Sequence, residues 1–487
     1  MLTEAGLHAD YPRLFVGPEA RAKPGILHLG LGAFFRAHGA IYTAEAMAKS
    51  GGDWGIIGVS LMRPMQRDLL APQGFAYTAL ELAPEGNIPQ VIDVITDVLV
   101  AKEDPETVLG AMADPAIKIV SLTVTEKGYC HEPSTGALNS LHPDVVYDLA
   151  HALPRSALGF LVRALQRRRD AGVLPFTVLC CDNLPENGKV VRGVVLELAA
   201  LIDPDLANWI EEKGKFPSTM VDRIVPATKT EDIESVAVLT QKLDLSPVMH
   251  EPFRQWVIED AFVNNERPDY GGVGAQLVTD VTAFEHMKLR CLNGTHSSLA
   301  YLGYLAGHET ICDTISNVGF AAYCQHLWAK EIIPCLIAPQ GVRLDTYAAA
   351  LFKRYENPAI RHLTWQIAMD GSQKLPQRML GTISENLVAG RACDGLILAV
   401  AAWMRYVGGV DENGGVIDVR DPLAARLKQL SDSVESSEGK VSTLLSVNEI
   451  FPTDLAKNPM FRNRLTAAYV DLLEKGAQTC VEDYINA

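Results

Sequence analysis

Short apolar runs alternate with helix-length segments through the first half of the chain, and no other feature restricts its fold so strongly. Gly25-Ile-Leu-His-Leu-Gly30 reads as a strand, the alanine-rich stretch Phe34 to Lys49 as a helix, and Trp54-Gly-Ile-Ile-Gly-Val59 as a second strand. Ile117 to Thr123 and Phe176 to Cys180 continue the series. A helix from Ser156 to Ala171, apolar at Leu158, Leu161 and Leu165, lies between those two. Strands separated by helices pair in parallel through right-handed crossovers. From about Phe284 the texture changes to long helical patterns: Lys288 to Ala306, Val318 to Lys330, Asp345 to Tyr355, Gly395 to Tyr406 and Asn463 to Lys475. With 487 residues there is room for two or three domains.

Gly30-Leu-Gly32 falls where the first strand ends and the first helix begins. Glycines there permit a tight turn and let backbone N–H groups approach a pyrophosphate. The third glycine of the usual fingerprint is replaced by Phe35. The reading is therefore an α/β fold, with a Rossmann-like dinucleotide-binding domain over residues 1–280 and a mostly α-helical domain over 281–487. After the second strand, where an acid would meet the adenosine ribose of NAD, no acid occurs before Asp68. Arg63 or Arg67 would instead suit a 2′-phosphate, so NAD is expected with NADP left open.

Charge and cysteine usage remove other classes. The net charge of −16, from 43 basic and 59 acidic residues, argues against nucleic acid and anionic membrane as partners. The most apolar stretch, Leu396 to Met404, is too short to span a bilayer. The nine cysteines form no C-x-x-C pair, as expected of free thiols in a cytoplasmic protein. A small-molecule partner and a monomer or small homo-oligomer are expected.

A nicotinamide-dependent enzyme needs a group to move the alcohol proton. No tyrosine is followed by lysine four residues later, and no close Cys/His cluster suggests a zinc site, so no metal is expected. Lys288-Leu-Arg-Cys-Leu-Asn293-Gly-Thr-His296 offers another solution. On an α-helix Asn293 lies about 140° and His296 about 80° from Lys288, on one side. Lysine serves as a base if burial or a neighbouring cation lowers its pKa. Asn293 would donate to a developing alkoxide and His296 would orient a hydroxyl. An amphipathic helix with a polar edge has the same spacing. Gly294, costly inside a helix, would be explained by close approach of a ligand.

Further segments accompany this motif: Leu29 to His38, Ser121 to Tyr129, Cys181 to Gly188, Met220 to Pro226, Glu251 to Asp260 and Asp370 to Arg378. Together they resemble the polyol-specific long-chain dehydrogenases, the family of mannitol 2-dehydrogenase and fructuronate reductase, in order over nearly the whole chain. The resemblance implies Lys288 as general acid/base, Asn293 and Asn183 as an oxyanion hole, and Asp222 and His296 as binders of substrate hydroxyls. It places Glu126 on a proton path and Gly30 and Gly32 around the cofactor, with Phe34, Arg36 and Thr123 as further cofactor contacts. Phe35 departs from the histidine expected there.

Several segments are most similar to the fructuronate reductase branch, which implies interconversion of D-fructuronate and D-mannonate. A uronate needs a cation at the far end of the sugar, and Lys374, then Arg378, are the candidates. Alternatives are a mannitol or arabinitol dehydrogenase, a tagaturonate reductase, or a dinucleotide-binding sensor without turnover.

Overall fold

The computed structural model describes residues 11–17, 22–132 and 135–486. The chain divides into two compact units, residues 1–282 and 283–487.

The first unit is built on five parallel strands. In chain order these are β1 (Pro24–Leu29), β2 (Gly55–Ser60), β5 (Ile95–Val100), β6 (Ile119–Leu122) and β7 (Thr177–Cys180), and they lie in the spatial order β5-β2-β1-β6-β7. Alternate residues enter two separate cores. Leu27 and Leu29 of β1, Val120 and Leu122 of β6 and Val178 and Cys180 of β7 join one. Ile26, Ile119 and Leu179 join the other. A parallel sheet covered on both faces needs such continuous apolar runs, which is why these strands stand out in the sequence.

Two smaller sheets complete this unit. One has β3 (Tyr77–Ala83) antiparallel to β4 (Gly86–Ile92) and parallel to β9 (Val248–His250). The other has β10 (Gln255–Glu259) antiparallel to β8 (Thr219–Asp222) and parallel to β11 (Gln276–Val278). The expected first helix is broken at His38 into Ala33–Ala37 and Gly39–Ser50.

The second unit is helical. Three of its segments are π-helical rather than α-helical: Lys288–Gly294, Leu327–Ile332 and Pro376–Leu380. The expected helix Lys288 to Ala306 is thus a π segment running into the α-helix Thr295–Leu305. Pro376 has no N–H to give to an α-helical ladder and opens the third π segment. The last helix, Pro459–Asn486, buries Leu472, Cys480 and Val481. Among the described residues no helix is long and apolar enough to cross a membrane, and all nine cysteines are free.

Glu331, in the second π segment, is buried and organises the centre of this unit. Its two oxygens accept the N–H groups of Gly395 and Leu396, both at 2.8 Å, and the hydroxyl of Tyr484 at 2.6 Å. Burial raises its pKa, opposed by those donors. Glu331→Ala leaves three donors without their acceptor, so a loss of about 3 kcal/mol or more in denaturant unfolding is expected, against about 1 kcal/mol for Tyr484→Phe.

Candidate functional site

Strand register brings the sequence-predicted cofactor residues to one edge of the first unit. Leu29 pairs with Val59 and Leu122, and Leu122 with Cys180. Gly30, Thr123 and Asp182 therefore follow the carboxyl ends of neighbouring strands, with Gly30 and Thr123 at the point between β1 and β6 where strand order reverses. Ligands of open α/β sheets bind at that point.

Gly30 has φ +92°, and a β-carbon there would lie 2.2 Å from the carbonyl oxygen of Thr123. Only glycine fits both conditions. Gly32 is exposed, and a β-carbon on it would meet nothing nearer than 3.7 Å. The turn thus has room on its outer side for a pyrophosphate, and the residues present fit a dinucleotide.

Beneath the turn lies His28, which the sequence reading did not single out. Thr123 Oγ1 donates to the Gly30 carbonyl at 2.9 Å. The same oxygen then accepts from His28 Nε2 at 2.9 Å, which leaves Nδ1 to accept from Ser121 Oγ at 2.8 Å. Burial drives the His28 pKa down to about 3, so the ring is neutral and the tautomer follows from its partners. Phe35 stacks on it with centroids 3.4 Å apart, which gives the unexpected phenylalanine a packing role.

Asp182 fixes the next loop. Its carboxylate accepts from the Val124 and Thr125 N–H groups at 2.8 and 3.2 Å and from the Tyr129 hydroxyl at 2.6 Å. The short helix Glu126–Tyr129 is held by these bonds; the side chain of Glu126 lies outside what is described. Asn183 follows, exposed, and Asn187 ties the start of its helix to β8 by accepting from the Thr219 N–H at 2.9 Å. Asp222 ends β8 in a buried position.

Other expected cofactor residues have different surroundings. Arg36 is only 4% exposed; it donates to the Ser246 carbonyl at 2.6 Å and lies over the Tyr77 ring. Its backbone N–H donates to the Gly32 carbonyl of the turn, while its guanidinium is held inside the core. Phe34 is half-buried and stacks on His38. Arg63 is exposed after β2, while Arg67 is committed to Asp68 and Glu103.

In the second unit Lys288, Asn293 and His296 lie along one helical stretch. Lys288 and His296 are each 7% exposed, and Asn293 is half-buried. The π geometry changes their spacing: an i→i+5 turn carries Asn293 about one full turn from Lys288, which α-helical counting does not. Three side chains hold the carbonyls of that turn. Trp328 Nε1 donates to Cys291 O and Tyr355 Oη to Leu292 O, both at 2.9 Å, and Arg378 Nη1 reaches Asn293 O at 3.5 Å. Gly294 is explained by the protein itself, because a β-carbon there would lie 2.7 Å from the Arg378 carbonyl oxygen. No ligand is required to account for it.

Arg378 Nη1 also donates to Ser297 Oγ at 3.0 Å, and Lys374 Nζ donates to the Met369 carbonyl at 2.5 Å. His296 stacks on Tyr355 and stands edge-on to His362. Burial above all, then His362 and the charges of Arg378, Arg354 and Lys374, hold His296 well below its ordinary pKa. It is neutral, with one donor and one acceptor.

Elsewhere, Cys130, His142 and Asp144 bring three potential metal-ligand atoms within 4.8 Å. Asp144 is paired with Arg155 at 2.6 Å, and His142 Nδ1 already accepts the Asp144 N–H.

Comparison with known proteins agrees with this geometry. Residues 24–272 match the model of the mannitol dehydrogenase Rossmann domain, and residues 280–473 that of the mannitol dehydrogenase C-terminal domain. The chain belongs to the mannitol dehydrogenase family. It is 47% identical to the D-mannonate oxidoreductase of Escherichia coli strain K12, over 95% of this chain and 96% of that protein. Identity to a mannitol 2-dehydrogenase of Aspergillus fumigatus is 39%, over 95% and 93%. The solved structure of Pseudomonas fluorescens mannitol 2-dehydrogenase, a ternary complex with NAD and D-mannitol, superposes with a TM-score of 0.87 at 37% identity, covering 99% of this chain and 98% of that one.

Two outcomes follow from the site. Trp328→Phe removes the donor to a buried carbonyl of the π turn, so a loss of about 1–3 kcal/mol is expected on denaturant unfolding, together with reduced turnover. His28 and His38 both have pKa values lowered by burial to about 3. An unfolded chain takes up protons at these rings below about pH 6.5, whereas the folded one does not until about pH 3. Their contribution is therefore complete above pH 6.5 and lost as pH falls, by about 1.4 kcal/mol per unit for each ring. The unfolding midpoint should drop between pH 6.5 and 5, and less steeply in His28→Gln, whose stability is compared with the parent at each pH.

Proposed function

We propose that the protein is an NAD-dependent oxidoreductase that interconverts D-fructuronate and D-mannonate, with Lys288 as the general acid/base. The observation that carries this reading is the pair of cations Lys374 and Arg378 in the second unit, where Arg378 donates to Ser297 Oγ, the residue after His296, and Lys374 to the Met369 carbonyl. A sugar acid needs such cations for its carboxylate, and the 47% identity to a D-mannonate oxidoreductase supports the same substrate class.

NAD(H), when bound, supplies or takes up the hydride; Gly30, Gly32 and Thr123 are the residues proposed to hold it, with Phe34 and Arg63 as further contacts. In the reducing direction protonated Lys288 gives a proton from Nζ to the substrate oxygen, and Asn293 donates its amide N–H to the negative charge forming there. Neutral His296 holds a neighbouring hydroxyl without adding charge. Asn183, Asp222 and Glu126 are assigned to the oxyanion, a substrate hydroxyl and the proton path by their match to the family motifs. In the oxidising direction Lys288 must begin neutral, so oxidation gains and reduction loses as pH rises.

A second reading, oxidation of a neutral polyol, draws on the 39% identity to a mannitol 2-dehydrogenase. Consumption of NADH with D-fructuronate, D-tagaturonate and D-fructose separates the two. At least about tenfold higher kcat/KM for D-fructuronate is expected, and preference for D-fructose overturns the sugar-acid assignment. Lys288→Ala should lower kcat by ~10²–10⁴ with NADH binding, followed by fluorescence, nearly intact; near-normal turnover would remove Lys288 from its role.

A further inference from the structure

A second histidine stands beside His296. His362 lies between the helices Leu344–Tyr355 and Thr364–Ala368, and its ring centroid is 4.6 Å from that of His296. Its backbone is pinned on both sides, since its N–H donates to Ile360 O at 2.9 Å and its carbonyl accepts from Ile311 N at 3.0 Å. The ring is therefore held in place, yet its buried Nδ1 has no hydrogen-bond partner. Leaving a buried polar atom unsatisfied is costly, and such an atom in a native fold calls for an explanation.

The neighbours say what kind of group would satisfy it. Arg354 is buried on the helix Leu344–Tyr355, next to the Tyr355 that stacks on His296. Lys374 donates to the carbonyls of Met369 and Ile367, the helix terminus that follows His362 in the chain. Burial, then Lys374 and Arg354, lower the pKa of His362 to about 4. His296 thus meets the ring directly from one helix, while the charges of Arg354 and Lys374 act on it from two others. A neutral ring among cations has a donor to offer and gains most from an acceptor that carries negative charge.

We propose that His362 is a specificity-determining residue, donating a hydrogen bond from Nδ1 to the carboxylate of a sugar-acid substrate whose charge Lys374 balances. This rests on the sugar-acid reading above and adds to it a residue that neither the Lys288 motif nor the segment Asp370 to Arg378 contains. A carboxylate only accepts and so selects the Nδ1–H tautomer. A neutral hydroxyl in the same place forms an uncharged, weaker bond.

The test uses the full-length protein with NAD, comparing oxidation of D-mannonate and D-mannitol by the parent, His362→Ala, His362→Asn and His362→Gln. Asparagine keeps an N–H near the position of Nδ1, whereas glutamine carries it further out. His362→Ala should raise KM for D-mannonate by ~10–100-fold, the equivalent of a lost charge-assisted bond, with kcat within about threefold. Any D-mannitol turnover should change no more than about threefold. His362→Asn should recover most of the loss and His362→Gln little of it. Thermal unfolding followed by circular dichroism reports whether each variant is folded; if the alanine variant is not, the asparagine–glutamine difference decides. Equal losses on both substrates, an unchanged KM for D-mannonate, or equivalence of asparagine and glutamine overturns the assignment of His362. A parent enzyme inactive on D-mannonate instead overturns the sugar-acid reading, and the role of His362 falls with it.

Discussion

The second unit depends on how the backbone of one widened helical turn is satisfied. A π turn displaces carbonyls from the α-helical ladder, and buried carbonyls need donors. Trp328, Tyr355 and Arg378 supply them to Cys291, Leu292 and Asn293 in succession, each from a different element. The turn is thereby fixed by tertiary structure rather than by local propensity. Gly294 lets the Arg378 backbone come close enough for this to happen. The polar side chains of Lys288, Asn293 and His296 take their positions from that arrangement.

The dinucleotide-binding edge of the first unit is fixed in a different way, by a neutral imidazole. His28 bridges β1 to β6 through Ser121 and Thr123, and Thr123 passes the connection to the Gly30 carbonyl. A charged ring could not accept from Ser121, so the chain of bonds exists only while the ring is neutral. Burial beneath Phe35 maintains that state. The glycine turn is consequently supported from below by hydrogen bonds that burial, not ligand, holds in place.

Four of the five parallel strands and the glycine turn were legible because two-sided burial writes itself as apolar runs; β5, interrupted by Thr96 and Asp97 and only partly buried, was not. The sheets formed by β3, β4 and β9 and by β8, β10 and β11 were not, since β4 is almost wholly exposed and β8 and β9 are three or four residues long. The pairing of β3 with β9 joins residues more than a hundred positions apart, Ala79 with Val248. The Lys288 motif was visible as a motif, but it was counted as an α-helix, in which Asn293 lies about 140° from Lys288, and the π turn brings the two nearer to alignment. Nothing in Lys288 to Gly294 announces that turn, because its donors come from residues 328, 355 and 378. The burial of the Arg36 guanidinium was not legible either, since its partners Tyr77 and Ser246 are distant in the sequence. His362 escaped notice for the same reason, being defined by a neighbour 66 residues away.

Charge explains why histidines and cations share the second unit's polar cluster. The chain is strongly acidic overall, but screening confines a distant charge to about 8–10 Å, so the cations at hand decide what is attracted locally. Arg354, Lys374 and Arg378 all act on His296, and two of them on His362. Were either ring protonated, a further positive charge would be buried among them at substantial cost. Neutrality avoids this and leaves each ring one donor and one acceptor. On the proposed reading the labour divides accordingly: rings that hold no proton to exchange near neutral pH orient the substrate, the surrounding cations select its charge, and the proton passes through Lys288.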